Sequence, residues 1–76
     1  MTVTVSTKKL STKAAEKMLA SGEVATAAVA YHGSTESYHI TTKDGVRHPV
    51  TFNGFVAATK QLRNVTEHAH GKSYSA

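Results

Sequence analysis

Apolar residues first recur at helical spacing shortly after the amino terminus of the chain. In a helix, five of them would lie on one side and form an apolar stripe, namely Leu10, Ala14, Ala15, Met18 and Leu19. Ser11 lies just before this stripe, and its hydroxyl can accept a free backbone N–H of the first turn. The pattern therefore predicts a first helix from about Thr12 to Ser21.

A second helical pattern follows Phe52. Spacings of three and four residues separate the apolar positions Phe55, Ala58, Leu62 and Val65. Asn53 precedes them, and asparagine is a favoured residue at the position that caps a helix amino terminus. The sequence predicts a second helix from Gly54 to about Arg63, capped by Asn53.

Between the two helices, β-branched and aromatic residues surround two turn signals. The first signal is Gly33-Ser34, where a leading glycine fits a tight type II′ turn. This turn pairs Val29 with Tyr38 and Ala27 with Ile40. A first hairpin with its large side chains on one face is therefore predicted.

The second turn signal is Lys43-Asp44-Gly45. A two-residue turn at Asp44-Gly45 would set apolar side chains opposite polar ones along the whole ladder. A three-residue loop, with Gly45 in a left-handed conformation, instead pairs Ile40 with His48. Because a slip of one residue exchanges the two faces of a strand, the choice decides which side chains point inward. We predict the three-residue loop.

Both registers together predict a three-stranded antiparallel meander, with both helices packed on its inner face. The chain is then one α+β domain over residues 1–76 with the element order α-β-β-β-α. The predicted inner face holds Ala25, Ala27, Val29, Tyr31, Tyr38, Ile40, Val46, Val50 and Phe52. The predicted outer face holds Thr26, Ala28, Ala30, Ser37, His39, Thr41, Arg47, Pro49 and Thr51.

The two ends of the chain carry weaker patterns. Residues 1–9 include alternating Thr and Val, which predicts either a short first strand or an extended arm. Residues 66–76, "TEHAHGKSYSA", are small and polar, which predicts a flexible tail.

The predicted order of elements also occurs in double-stranded-RNA-binding domains. That family begins its last helix with lysines, whereas this chain has Asn53-Gly54-Phe55-Val56 at the corresponding place. A three-stranded sheet followed by a helix also occurs in modules that bind DNA through a sheet. Both likenesses concern element order alone, and a shared fold does not determine function.

Composition narrows the classes of protein. The chain has no cysteine, which excludes disulfides and thiolate metal clusters and favours a cytoplasmic location. It contains no run of about 18 apolar residues, so we expect no membrane span. Nine Lys and Arg against five Asp and Glu give a net charge of +4, which favours nucleic acid or an acidic protein surface as a partner.

Catalytic chemistry has no visible basis in the sequence. Asp44 is explained by its turn, the glutamates lie on different elements, and the glycines form no phosphate-binding loop. His68 and His70 follow Glu67, but two imidazoles fall short of a closed metal site, so we interpret them as part of a solvated tail. We therefore expect neither enzymatic activity nor a cofactor.

The basic residues carry the functional hypothesis. Phosphate contacts are assigned to Arg47, His39, Thr41 and Lys43 around the second hairpin, and to Lys13, Lys17, Lys60 and Arg63 on the helices. The simpler interpretation is that these residues are only solvent-exposed charges on the protein surface. The first hypothesis is a non-enzymatic nucleic-acid-binding module with a regulatory role.

Two other classes of function stay open. One is a small protein, of the kind encoded by phages and mobile elements, that binds and inhibits or adapts a larger protein machine. The other is a self-associating structural protein. For the latter the predicted contact is a homodimer through the outer sheet face or through an edge strand.

Overall fold

Two helices and six strands make up residues 4–76, the part of the chain that the computed structural model describes. In chain order they are β1 (Thr4–Val5), α1 (Thr12–Ala20), β2 (Val24–His32), β3 (Thr35–Thr42), β4 (Val46–Pro49), α2 (Phe52–Gln61), β5 (Asn64–His68) and β6 (Gly71–Ser75). The strands form one sheet in the order β1-β4-β3-β2-β6-β5. Strands β2 to β6 pair antiparallel, and the short β1 runs parallel to β4.

The prediction of a single α+β domain is confirmed, but the predicted three-stranded meander is too small. Strands β4, β3 and β2 do form that meander, and β6 and β5 extend it beyond β2. The first nine residues contribute the short strand β1. Residues 1–3 of the predicted arm lie outside the described part of the chain.

Helix α1 follows the predicted boundaries closely. The Ser11 hydroxyl accepts a hydrogen bond from the Ala14 N–H at 3.2 Å, and Ser21 forms the carboxyl-terminal cap. Helix α2 begins two residues earlier than predicted because Thr51, rather than Asn53, is its cap. The Thr51 hydroxyl accepts a hydrogen bond from the Gly54 N–H at 3.2 Å.

The registers of both hairpins agree with the sequence prediction. Val29 faces Tyr38, and Ile40 faces His48. Gly45 has a φ of 89°, as the three-residue loop requires. The start of β2 departs from the prediction because a bulge between Val24 and Thr26 turns Val24, rather than the predicted Ala25, into the core.

The segment predicted as a flexible tail instead forms the hairpin β5–β6. Strand β6 lies next to β2, with Ala27 opposite Tyr74 and Ala28 opposite Ser73. The Tyr74 ring packs edge-on against Phe55, with ring centroids 5.5 Å apart. The tail prediction was wrong because the Tyr74 side chain packs against the core and holds β6 in the sheet. The other residues of β6 are polar or glycine.

Both helices lie on one face of the sheet, which we call the helix face. The buried core between them contains Ala15, Leu19, Val24, Ala27, Val29, Ile40, Val50, Phe55, Ala58 and Leu62. Two residues predicted to point inward stay largely outside it, since Tyr31 is 39% exposed and Phe52 is 56% exposed. Within residues 4–76, no helix is both long and apolar enough to cross a membrane.

Candidate nucleic-acid interface

Within residues 4–76, the opposite side of the sheet carries no helix. We call it the open face, and it consists of the side chains that point away from α1 and α2 in the observed registers. Its members are Val5, Thr26, Ala28, Ala30, His32, Thr35, Ser37, His39, Thr41, Arg47, Pro49, Asn64, Thr66, His68, Gly71, Ser73 and Ser75. Most are small, and many carry a hydroxyl group, so the surface is flat and rich in hydrogen-bonding groups.

Arg47 is the only lysine or arginine on the open face. Its Nη2 atom lies 3.4 Å from Nδ1 of His39 on the neighbouring strand. Both side chains are half-buried. The guanidinium is therefore held against the sheet by β3 rather than extended into solvent.

The surroundings of His39 favour the neutral form of its imidazole. Burial lowers the pKa of His39 below its usual value of 6.5, and the nearby charges of Arg47 and His32 lower it further. At neutral pH the positive charge at this place is consequently that of Arg47. A bound anion would favour the protonated form of His39 and raise its pKa again.

A second polar group lies on the β5–β6 hairpin. His68 Nε2 is 2.7 Å from the Ser73 hydroxyl oxygen. A shallow depression lies between His68 and Arg47, and Ala28, Ala30 and Gly71 contribute to its lining. Small side chains in the middle of the sheet thus leave space between an arginine on one side and a histidine on the other.

The structure divides the predicted site residues into separate groups. Arg47, His39 and Thr41 are adjacent on the open face, where Thr41 is paired with Arg47. Lys43 is exposed in the turn between β3 and β4. The other four are exposed on or next to the helices, with Lys13 and Lys17 on α1, Lys60 on α2 and Arg63 between α2 and β5.

The predicted outer face lacks nine members of the open face, namely Val5, His32, Thr35, Asn64, Thr66, His68, Gly71, Ser73 and Ser75. His68 and Ser73 were assigned to a tail, so no strand placed them beside β2. The sequence of β5 and β6 carries no clear strand signal, because most of their residues are small or polar.

Metal ligands do not cluster in the described residues. Nowhere in residues 4–76 do three or more His, Cys, Asp or Glu side chains group in a way that could hold a metal ion. His70 lies in the turn after β5, where its backbone carbonyl accepts a hydrogen bond from the Tyr31 N–H. His68 is the last residue of β5, so the two histidine side chains belong to a strand end and to the turn that follows it.

Comparison with known proteins gave no match, whether to a family model, to a curated protein or to a solved structure. The functional proposal therefore depends on the surfaces of this chain alone.

Proposed function

We propose that the chain is a non-enzymatic nucleic-acid-binding module whose open face lies against the phosphate backbone of a duplex. One observation supports this above all: the open face includes no carboxylate. The acidic residues of the chain lie elsewhere, with Glu16 on α1, Glu23 before β2, Glu36 and Glu67 on the helix face, and Asp44 in a turn. A broad surface free of negative charge suits a polyanion.

The groups on the open face match the chemistry of phosphate contact. Arg47 supplies a fork of N–H donors, and the hydroxyls of Thr26, Ser37, Thr41 and Ser73 can donate to phosphate oxygens. No aromatic residue belongs to the open face apart from histidines, so stacking platforms for unpaired bases are few. This composition favours the backbone of a duplex over a single strand.

The test is binding of fluorescently labelled duplex DNA and duplex RNA, measured by anisotropy while the salt concentration is raised. Affinity should fall with salt, with a slope of about −0.9 in log affinity per log salt for each DNA phosphate contacted. Arg47→Ala should weaken binding and reduce the slope by about 0.9, because one such contact is lost.

Lys60→Ala is the matched control, since it also removes one positive charge but lies on α2 in the helix layer. It should change affinity little. Ser37→Glu places a carboxylate on the open face and should reduce binding without removing any basic group.

The variants Lys13→Ala and Lys17→Ala test α1 as a competing surface. If they weaken binding and Arg47→Ala does not, the helix layer is the interface and the assignment to the open face is wrong. If neither duplex nor single strand binds at low salt, the result favours the hypothesis of a protein that blocks a larger machine.

A further inference from the structure

Strand β5 is the outermost strand at one end of the sheet. All five of its residues are exposed, and within residues 4–76 no strand pairs with its outer side. Its sequence, NVTEH, contains neither proline nor lysine, the residues that commonly protect an edge from pairing. We propose that β5 pairs antiparallel with β5 of a second copy of the chain, around a two-fold axis at Val65.

The hydrogen bonds of the sheet show which backbone groups of β5 are free for such pairing. The Tyr31 N–H of β2 donates a hydrogen bond to the His70 carbonyl at 2.7 Å, so the backbone of His70 bonds to β2. Because antiparallel bonds alternate, Lys72 and Tyr74 also bond to β2, whereas Gly71, Ser73 and Ser75 bond to β5. Their partners on β5 are Asn64, Thr66 and His68. The N–H and C=O groups of Val65 and Glu67 therefore point outward.

This alternation restricts the register of the dimer. Only Val65 and Glu67 of β5 turn bonding groups outward, so a two-fold axis within this stretch passes through Val65, Thr66 or Glu67. An axis at Glu67 would set two carboxylates directly opposite each other, which leaves Val65 and Thr66. An axis at Thr66 would set each Val65 opposite a Glu67 carboxylate. An axis at Val65 sets the two Val65 side chains opposite each other and places Arg63 opposite Glu67 of the second copy, twice. The arrangement around Val65 pairs apolar with apolar and positive with negative.

The side chains that would meet in the dimer are exposed to solvent in the monomer. Val65 is 51% exposed, and Arg63 is exposed as well. The Glu67 side chain is 78% exposed, and its Oε1 atom lies 3.7 Å from Nζ of Lys72. In the dimer each Glu67 would lie between Lys72 of its own chain and Arg63 of the other, and each Val65 would be partly covered.

The symmetry has a structural consequence. A two-fold axis perpendicular to the sheet keeps both helix layers on one side, so the two open faces form one continuous surface. A contact of one short strand from each copy buries little area, so we expect a weak dimer that depends on protein concentration. The dimer forms without nucleic acid and does not require the proposed function to be correct.

The experiment is sedimentation velocity of the protein without nucleic acid, over a wide range of concentrations. The wild-type chain should pass from monomer to dimer as concentration rises. Val65→Lys brings two positive charges to the axis, and Arg63→Glu sets carboxylates opposite each other. Each should raise the dimer dissociation constant at least about tenfold. Circular dichroism would show whether each variant is folded.

The double variant Arg63→Glu/Glu67→Lys reverses the proposed ion pair and should restore dimerisation relative to Arg63→Glu alone. Val5→Lys is the matched control for Val65→Lys, because Val5 is also exposed but lies on the opposite edge strand. A wild-type protein that stays monomeric throughout would overturn the proposal. So would a dimer that is unaffected by Arg63→Glu, or one that the double variant fails to restore.

Discussion

Replacing Gly71 by alanine is the sharpest test of how β6 joins the sheet. Gly71 is buried and lies opposite Ala30 of β2. A Cβ atom at this position would stand 2.2 Å from the carbonyl oxygen of Val29 and 3.2 Å from the Ala30 Cα atom. Both neighbours are backbone atoms, so neither can turn aside as the end of a flexible side chain could.

The expected loss of stability follows from that distance. Ordinary contact begins near 3.4 Å, so the two strands must separate by about 1.2 Å at this point. Backbone hydrogen bonds of about 2.9 Å do not survive such a movement. The loss of one or two of these bonds, each worth about 1 kcal/mol, together with the strain of overpacking, predicts a destabilisation of about 2 to 4 kcal/mol. A domain of this length has a total stability of only about 4 to 11 kcal/mol.

Urea denaturation followed by circular dichroism measures this loss, with hydrogen exchange at the β6 amides as a local readout. Gly45→Ala is the control, because Gly45 has a positive φ but nothing within 4 Å of the added methyl group. Its cost should be about 1 kcal/mol, from backbone conformation alone. If Gly71→Ala loses no more stability than Gly45→Ala, the close approach of β6 to β2 is refuted.

Two further predictions concern the cap of α2 and the pH dependence of folding. Thr51→Ala should cost about 1 kcal/mol of stability because the Thr51 hydroxyl accepts a hydrogen bond from the Gly54 N–H, whereas Asn53→Ala should be near neutral. Thermal melts compare the two variants. A larger loss in Asn53→Ala than in Thr51→Ala would identify Asn53 as the cap. The pKa of His39 is lower in the folded chain than in the unfolded chain, so the unfolded chain binds more protons. The contribution of His39 to stability is therefore complete above the unfolded pKa of 6.5, and it is lost as pH falls through the folded pKa. Urea midpoints at several pH values should therefore show a smaller pH dependence in His39→Gln than in the wild type, and identical profiles would count against the shift.

The candidate site was predictable only in part. The registers of the two hairpins placed Arg47, His39 and Thr41 together, because turn chemistry and alternation are local properties of the sequence. The lysines of the helices were grouped with them on charge alone, although they lie in the other layer of the protein. Charge along a sequence does not report the direction in which a side chain points, and this is why the predicted set was divided by the fold.

Local rules determined most of the elements of this protein. The apolar stripe and Ser11 are sufficient to define α1, and the glycine turns are sufficient to define the meander of β2, β3 and β4. Within these elements the conformation of each residue depends on neighbours a few positions away in the chain. The sequence pattern therefore predicts these elements directly.

Only the tertiary structure decided the place of the last eleven residues. Strand β6 is stabilised by its ladder with β2 and by the contact of Tyr74 with Phe55, both of which join residues far apart in the chain. Its own composition is polar, and no local preference distinguishes it from a tail. Because those distant contacts also complete the open face and leave β5 as an edge, the proposed function and the proposed dimer both depend on structure that the sequence pattern did not reveal.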